Sequence, residues 1–227
     1  MLANRVISSA RVAYSEVALA LSPTALYMME EGSGTQMTDA SGNANHGTYQ
    51  NGALPSTPGL ITEGAKSLNP VSNLYATAPG AVASALSGFS IVLWLQWSHS
   101  SNLVICERNQ NLGYSIQTDT TGKINLVSWT TGPVIPMQSA SAINNGAPHC
   151  VVLAIAATVA ASYMFVDGVD VTTRPVGSIS PSYGSTTVWD IGSRAGTLAM
   201  DGRLDGVLFV GSQLTLGQAQ ALNSAGR

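Results

Sequence analysis

Residues 23 to 49, PTALYMMEEGSGTQMTDASGNANHGTY, constrain this chain more than any other stretch. Ala25-Leu26-Tyr27-Met28-Met29 is a short apolar run and reads as a strand. Glu30-Glu31-Gly32-Ser33-Gly34 then turns the chain. Asp39-Ala40-Ser41-Gly42-Asn43-Ala44-Asn45-His46-Gly47 follows as a compact polar loop. In such a loop Asp, Asn and Ser side chains bond neighbouring backbone groups, and glycines take the positive φ that tight turns need. Thr48-Tyr49 leads back into extended chain.

Low charge with 23 Gly and many Ser, Thr and Asn fits an all-β protein. A chain of 227 residues is one domain for a sandwich or barrel, with enough length to bury a sizeable core. Charged residues make up only 9%, against about 25% in a typical domain. Nine Lys and Arg against twelve Asp and Glu give a net charge of -3, so no basic footprint for nucleic acid is present. So few charges protect a free monomer poorly against association, and much of the surface is expected to be covered in use. No run approaches the roughly 20 apolar residues of a membrane span. Arg5, Arg11 and Glu16 interrupt any signal-peptide core, which leads to an expectation of synthesis in a cytoplasm. Cys106 and Cys150 each sit in an apolar strand-like run and are too few for a disulfide framework. Two buried thiols are expected, with a bridge between neighbouring strands as the alternative.

Residues 5 to 21 read as a helix. Ile7, Ala10, Tyr14, Val17 and Leu21 form one apolar stripe at helical spacing, and Ser22-Pro23 ends it. A helix this short is marginal alone, so the stripe must dock. It can pack on the chain's own sandwich, onto a neighbouring subunit, or in a small trimeric bundle. On this basis the chain divides into a docking segment, 1–22, and a main domain, 23–227. Ser90 to Trp97, SIVLWLQW, carries apolar residues on both faces and reads as a central strand covered on both sides. Leu103 to Glu107, Tyr114 to Thr118 and Lys123 to Trp129 read as further strands, the last two joined by a turn at Thr121-Gly122. Thr131 to Ala147 reads as loop-rich, with Pro133, Pro136 and Asn144-Asn145-Gly146. Asp167-Gly168 is a two-residue hairpin turn between apolar runs. Leu214-Thr215 opens a short C-terminal helix, with Thr215 and Gln218 placed for a capping box.

These motifs resemble the laminin-G-like, concanavalin A-like lectin-glucanase family of jelly-roll domains. Glu31-Gly32-Ser33-Gly34 with Asp39-Ala40-Ser41-Gly42-Asn43-Ala44-Asn45-His46-Gly47 resembles the family's opening. Ser90 to Trp97, Tyr163 to Gly168 and Gly202-Arg203-Leu204-Asp205-Gly206-Val207 resemble later family strands. Departures stand beside the matches. Leu68-Asn69-Pro70 replaces the family's Phe-Asp-Gly, Pro148 and Cys150 replace its Trp and second His, and Gly206 replaces a Glu. The resemblance implies an all-β, two-sheet antiparallel jelly-roll sandwich with a short helix at each end. Tyr14 to Pro23 also resembles the lead-in to such domains in tailed-phage virion proteins.

The residues argue against catalysis. A retaining glycosidase needs two carboxyls roughly 5 Å apart, which on one strand means residues two apart on one face. Glu16, Glu30, Glu31, Glu63 and Glu107 include no such run, and Asp201 and Asp205 have no acid between them. His149 and Cys150 are adjacent, so on a strand they face opposite sides. The family often holds a Ca²⁺ near its Asp-x-Ser-Gly-Asn loop. Asp39, Asn43 and Asp205 could supply oxygens for one. The competing reading is that Asp39 and Asn43 satisfy the loop's own backbone. Sugar binding needs an exposed aromatic with polar neighbours. Trp189, Tyr183 and Trp129 are the candidates, unless they fill the core or a subunit contact.

The expected function is that of a non-enzymatic phage virion protein, a capsid decoration or tail-associated subunit. It would be made in the host cytoplasm and partnered by other virion proteins and by copies of itself. The alternative is a carbohydrate-binding module for host-surface glycans. No cofactor beyond a structural Ca²⁺, no nucleic acid and no membrane is expected.

Overall fold

The computed structural model describes residues 12–71, 73–83, 88–108, 113–129, 132–175 and 187–227. Ile7, Ala10 and Tyr183 lie outside the described residues. Two antiparallel sheets face each other. The six-stranded sheet runs, in spatial order, Ala25–Tyr27, Arg203–Val210, Phe89–Gln96, His149–Ile155, Tyr163–Val166, Val169–Asp170. The nine-stranded sheet runs Thr172–Thr173, Pro133–Ser139, Ile124–Trp129, Tyr114–Thr118, Val104–Arg108, Trp189–Ile191, Tyr75–Ala78, Gly47–Gln50, Gln36–Met37. A small two-stranded ribbon pairs Thr57–Pro58 with Lys66–Ser67. This is the jelly-roll sandwich expected from the sequence.

Phe89–Gln96 is central, paired with Arg203–Val210 on one side and His149–Ile155 on the other. Its alternate side chains separate two cores. Phe89, Ile91, Leu93 and Leu95 point between the sheets, where they meet Trp189, Ile116, Leu126 and Phe209. Val92 and Trp94 point outward, where the terminal helices cover them. That is why the strand is apolar on both faces.

The turns follow their residues. Asp167 and Gly168 have φ of 54° and 75°, the pair of left-handed residues that a tight I′-type hairpin demands. Thr215 caps Leu216–Gly226 through the expected reciprocal box with Gln218. Cys106 and Cys150 are both free and buried. They lie in different sheets and different cores, so they are not on neighbouring strands.

Two expectations need correction. Residues 131 to 147 contain a strand, Pro133–Ser139, despite two prolines. Its pairing with Ile124–Trp129 shifts between Leu126 and Ser128, so Ile135 and Pro136 fall opposite Val127. A proline has no N–H to give a ladder, and the bulge places Pro136 where none is needed.

The second correction concerns the first helix, which spans Tyr14–Leu19 and is preceded by extended Ala13. Its start is set by a distant residue. The Glu63 carboxylate accepts from the Ser15 N–H at 2.8 Å and from the Ser15 hydroxyl, taking the place of a local cap. Tyr14 is fully buried, packed edge-on to Trp94 at 6.3 Å, and its hydroxyl donates to the Gly206 carbonyl at 2.9 Å. Val17 and Leu21 pack against the same cluster. Tyr14, Val17 and Leu21 therefore dock on the chain's own sandwich rather than offering a free stripe to a neighbour. Gly206 explains itself here. It has φ of 52°, and a Cβ would stand 3.2 Å from both the Trp94 and the Tyr14 rings.

Candidate functional site

The outward face of the nine-stranded sheet carries a polar row set by strand register. Thr48 pairs with Thr77, Thr77 with Asp190, Asp190 with Glu107, and Glu107 with Ser115. Two carboxyls thus stand directly opposite each other on neighbouring strands, a placement that no spacing within one strand announces. Glu107 is only 3% exposed and is gripped by Arg194, whose Nε lies 3.0 Å from both oxygens and whose Nη2 lies 2.7 Å from Oε2. The same guanidinium lies 5.5 Å from the Trp129 ring centre. Asp190 accepts from the Ala195 N–H at 2.9 Å. Burial pushes the Asp190 carboxyl up to about 6. The Ala195 hydrogen bond opposes that shift and the Glu107 charge adds to it. Glu107, so enclosed and so held, is not presented to a reacting atom. What the pair does is anchor the loop that follows Trp189–Ile191.

That loop, 192 to 202, is tightly folded. Arg194 and Thr197 exchange backbone hydrogen bonds of 2.8 and 2.7 Å, and Gly196 N–H donates to Ser193 Oγ at 3.0 Å. Met200 N–H reaches back to the Gly192 carbonyl at 2.8 Å. Leu198 accepts from Val104 N–H at 2.9 Å, and Asp201 donates to Pro70 at 2.9 Å. Ala195, Leu198 and Asp201 hold φ of 44°, 48° and 48°, which costs a non-glycine residue on the order of 1–3 kcal/mol. Surroundings over-determine such a conformation, and concentrations of it mark sites where side chains are aimed.

The loop walls two adjoining rim clefts. One, of about 710 Å³, is bounded by Asn73, His99, Ser101, Thr197 and Asp201. The other, of about 290 Å³, is bounded by Asn69, Gln96, Trp97, Asp201 and Arg203. Asp201 belongs to both. It is exposed, and among the described residues its carboxylate has no hydrogen-bond or ion-pair partner. Arg203, by contrast, is held by hydrogen bonds, all to neutral acceptors, so that it brings a positive charge to the smaller cleft. It donates to Gln96 Oε1 at 2.6 Å, to Ser67 Oγ at 3.3 Å, and to the Pro58 and Gly59 carbonyls. His99 Nε2 is buried without a partner in the cleft wall. A free carboxylate among amides, hydroxyls and an imidazole suits a hydroxyl-rich ligand.

The residues singled out in the sequence fall elsewhere. Asp39 accepts from Leu26 N–H, Ser41 N–H and Asn45 N–H, each at 2.9 Å, and from the Ser41 hydroxyl at 2.8 Å. Burial alone would raise its carboxyl, but these bonds outweigh it and hold the group below the usual range. Asn43 Nδ2 donates to the Pro23 carbonyl at 2.8 Å. Asp205 is fully buried and accepts from Leu60 N–H at 2.8 Å, Ile61 N–H at 3.3 Å and Gly206 N–H at 2.8 Å. Asp39 and Asp205 thus brace separate loops with no shared partner. Among the described residues no group of three His, Cys, Asp or Glu is placed to hold a metal ion.

Trp189 is corrected outright. It is fully buried against Phe89 and Phe209 and faces no ligand. Trp129 lies on the outward face under Arg194, while Tyr183 lies outside the described residues. His149 faces away from Cys150, as expected. Its Nδ1 is 2.7 Å from Asp167 and its Nε2 2.9 Å from Asn145.

Comparison with known proteins agrees with this architecture. A family model described as the concanavalin A-like lectin/glucanases superfamily matches residues 71–220. No curated protein matches the chain. Among solved structures, domain 4 of an extracellular arabinanase from Geobacillus stearothermophilus, in complex with arabinotriose, superposes with a TM-score of 0.68 at 16% identity, covering 88% of this chain and 97% of that one. The binding domain of Paraclostridial Mosquitocidal Protein 1 superposes with a TM-score of 0.63 at 13% identity, covering 89% of this chain and 52% of that one. Trypanosoma rangeli sialidase does so with a TM-score of 0.60 at 13% identity, covering 88% of this chain but only 32% of the sialidase. The fold is therefore shared with domains of glycosidases and with binding domains alike. The chain belongs to the concanavalin A-like lectin/glucanases superfamily.

Proposed function

We propose that this superfamily member is a non-catalytic carbohydrate-binding module that holds glycans in the rim clefts astride Asp201. The observation that carries the reading is the free, exposed Asp201 carboxylate, held at φ 48° between two clefts by a loop pinned through Arg194 and Asp190. An ionised carboxylate accepts two hydroxyl donors at once, and charge-assisted bonds of this kind are the strong ones. The arabinanase domain seen with arabinotriose supports the assignment by analogy of fold. Hydrolysis is disfavoured because the carboxyls brought near one another are committed: Glu107 and Asp190 serve as a loop anchor, and Asp205, which feels the Glu30 charge, is fully buried on backbone donors. The test is a glycan array probed with the full chain in EDTA, with arabinotriose included. Specific, saturable binding is expected, with no loss of the glycan on prolonged incubation.

A second reading favours a role in a tailed-phage virion, as a capsid decoration or tail-associated subunit. Its support is the 9% charged content and the lead-in of Tyr14 to Pro23. The internal docking of Tyr14 removes the helix as the obvious assembly device, so this reading now stands second. The two combine if the particle displays the module towards its host. Co-purification with purified capsids or tails in the absence of sugar would favour the assembly role.

A further inference from the structure

We infer that the smaller rim cleft takes the carboxylate of an acidic sugar, a uronic or sialic acid unit whose hydroxyls lie on Asp201. This rests on the glycan-binding reading above and adds the ligand class. Arg203 carries it. The residue pairs with Gln96 on the neighbouring strand and lines the cleft of about 290 Å³ together with Asp201 and Trp97. A guanidinium has five N–H donors. Nε and Nη1 make one bond each, to Ser67 Oγ and Gln96 Oε1, and Nη2 makes two, to the Pro58 and Gly59 carbonyls. One Nη1–H is left over, and none of the four acceptors is charged. Gln96 is committed at its other end, where Nε2 donates to the Gly146 carbonyl. The acids on either side of Arg203 in sequence are not bonded to it. Asp205 accepts from the Leu60, Ile61 and Gly206 N–H groups, and Asp201 shares the cleft without forming an ion pair.

Two unlike charges therefore line one cleft without closing on each other. A neutral sugar answers the Asp201 carboxylate with its hydroxyls and leaves the guanidinium charge unmatched. An acidic sugar presents a carboxylate beside free hydroxyls and answers both. Trp97 adds a further donor. It is 2% exposed, and its indole Nε1–H, which can only donate, has no acceptor among the described residues. The expected preference for the charged ligand is about tenfold, the lower end of what a charge-assisted hydrogen bond contributes, because Asp201 stands in the same cleft.

The experiment compares acidic oligosaccharides with their own methyl esters, which keep every hydroxyl and lose the charge. Trigalacturonic acid and a sialylated lactose are titrated calorimetrically into the full chain, each beside its ester. Arg203→Gln and Arg203→Lys are run in parallel, with thermal unfolding as the check on fold. The expected result is that at least one free acid binds about tenfold more tightly than its ester. Arg203→Gln should bring acid and ester together, and Arg203→Lys, which retains the charge, should keep part of the preference. The ester comparison on the wild-type chain needs no variant, so it decides the matter if Arg203→Gln does not fold. Esters that bind as well as the free acids, or a full acid preference in folded Arg203→Gln, overturn this inference and leave the binding module standing. Binding to no glycan at all overturns the module and the ligand class together.

Discussion

Replacing Tyr14 tests whether the first helix belongs to the sandwich or to a partner. The side chain is fully buried, edge-on to Trp94 at 6.3 Å, with its hydroxyl 2.9 Å from the Gly206 carbonyl. Truncating a buried aromatic to alanine costs about 3–5 kcal/mol. Roughly 1 kcal/mol of that is the aromatic pair and another ~1 kcal/mol the hydrogen bond. In a chain of this size each kcal/mol lowers the melting temperature by about 2–4 °C, so Tyr14→Ala should lower it by about 6–20 °C. Tyr14→Phe keeps the ring and leaves the buried carbonyl unpaired, which costs about 1–2 kcal/mol, or a few degrees. Thermal unfolding followed by circular dichroism reads the first quantity, and light scattering on a sizing column reads the mass. The structure requires a graded loss of stability with no change in oligomeric mass. Unchanged melting together with a loss of oligomer would refute the internal docking and restore the helix as an assembly device.

Three further outcomes follow from buried groups. Burial pushes the Asp205 carboxyl up to about 7 despite three backbone donors. A folded value above the unfolded one means stability is full below about pH 4 and is lost as pH rises towards 7, by up to about 4 kcal/mol. Asp190, raised to about 6, acts in the same direction. The urea midpoint should fall between pH 4 and pH 7, and a rise over that range would contradict the assignment. Arg194→Met leaves the Glu107 charge buried and alone, at a cost of about 3–5 kcal/mol. Adding Glu107→Gln should recover part of that loss in a denaturation cycle, and strict additivity would show that the two do not act as a pair. Cys106 and Cys150 are free and buried, and burial raises both thiols. A thiol reagent should leave the native chain untouched and label both residues after unfolding, whereas no label after unfolding would mean a bridge.

The sandwich was legible because its signals are local. Asp167-Gly168, the Thr215 and Gln218 box, and the two-faced apolar run within Ser90 to Trp97 each act within a few residues. What escaped is set at long range. The helix begins where Glu63 reaches Ser15, 48 residues away in sequence. Trp189 looked like a ligand platform because Asp190 stands beside it, yet strand alternation sends one to the core and the other outward. Glu107 and Asp190 meet only through register, so a search for carboxyls two apart could not find them. Asp201 was visible in sequence as an acid at a strand start. Its left-handed backbone and its two clefts come from the path of the loop, which no spacing encodes.

Backbone amide NMR of the full chain, titrated with an oligosaccharide that scores on the array, bears most directly on the binding site. The account predicts shifts concentrated at residues 196 to 202, 98 to 101 and Asn73, lost in Asp201→Asn. Shifts concentrated instead on Thr77, Asp190 and Gln117 would place the glycan on the outward sheet face and contradict it.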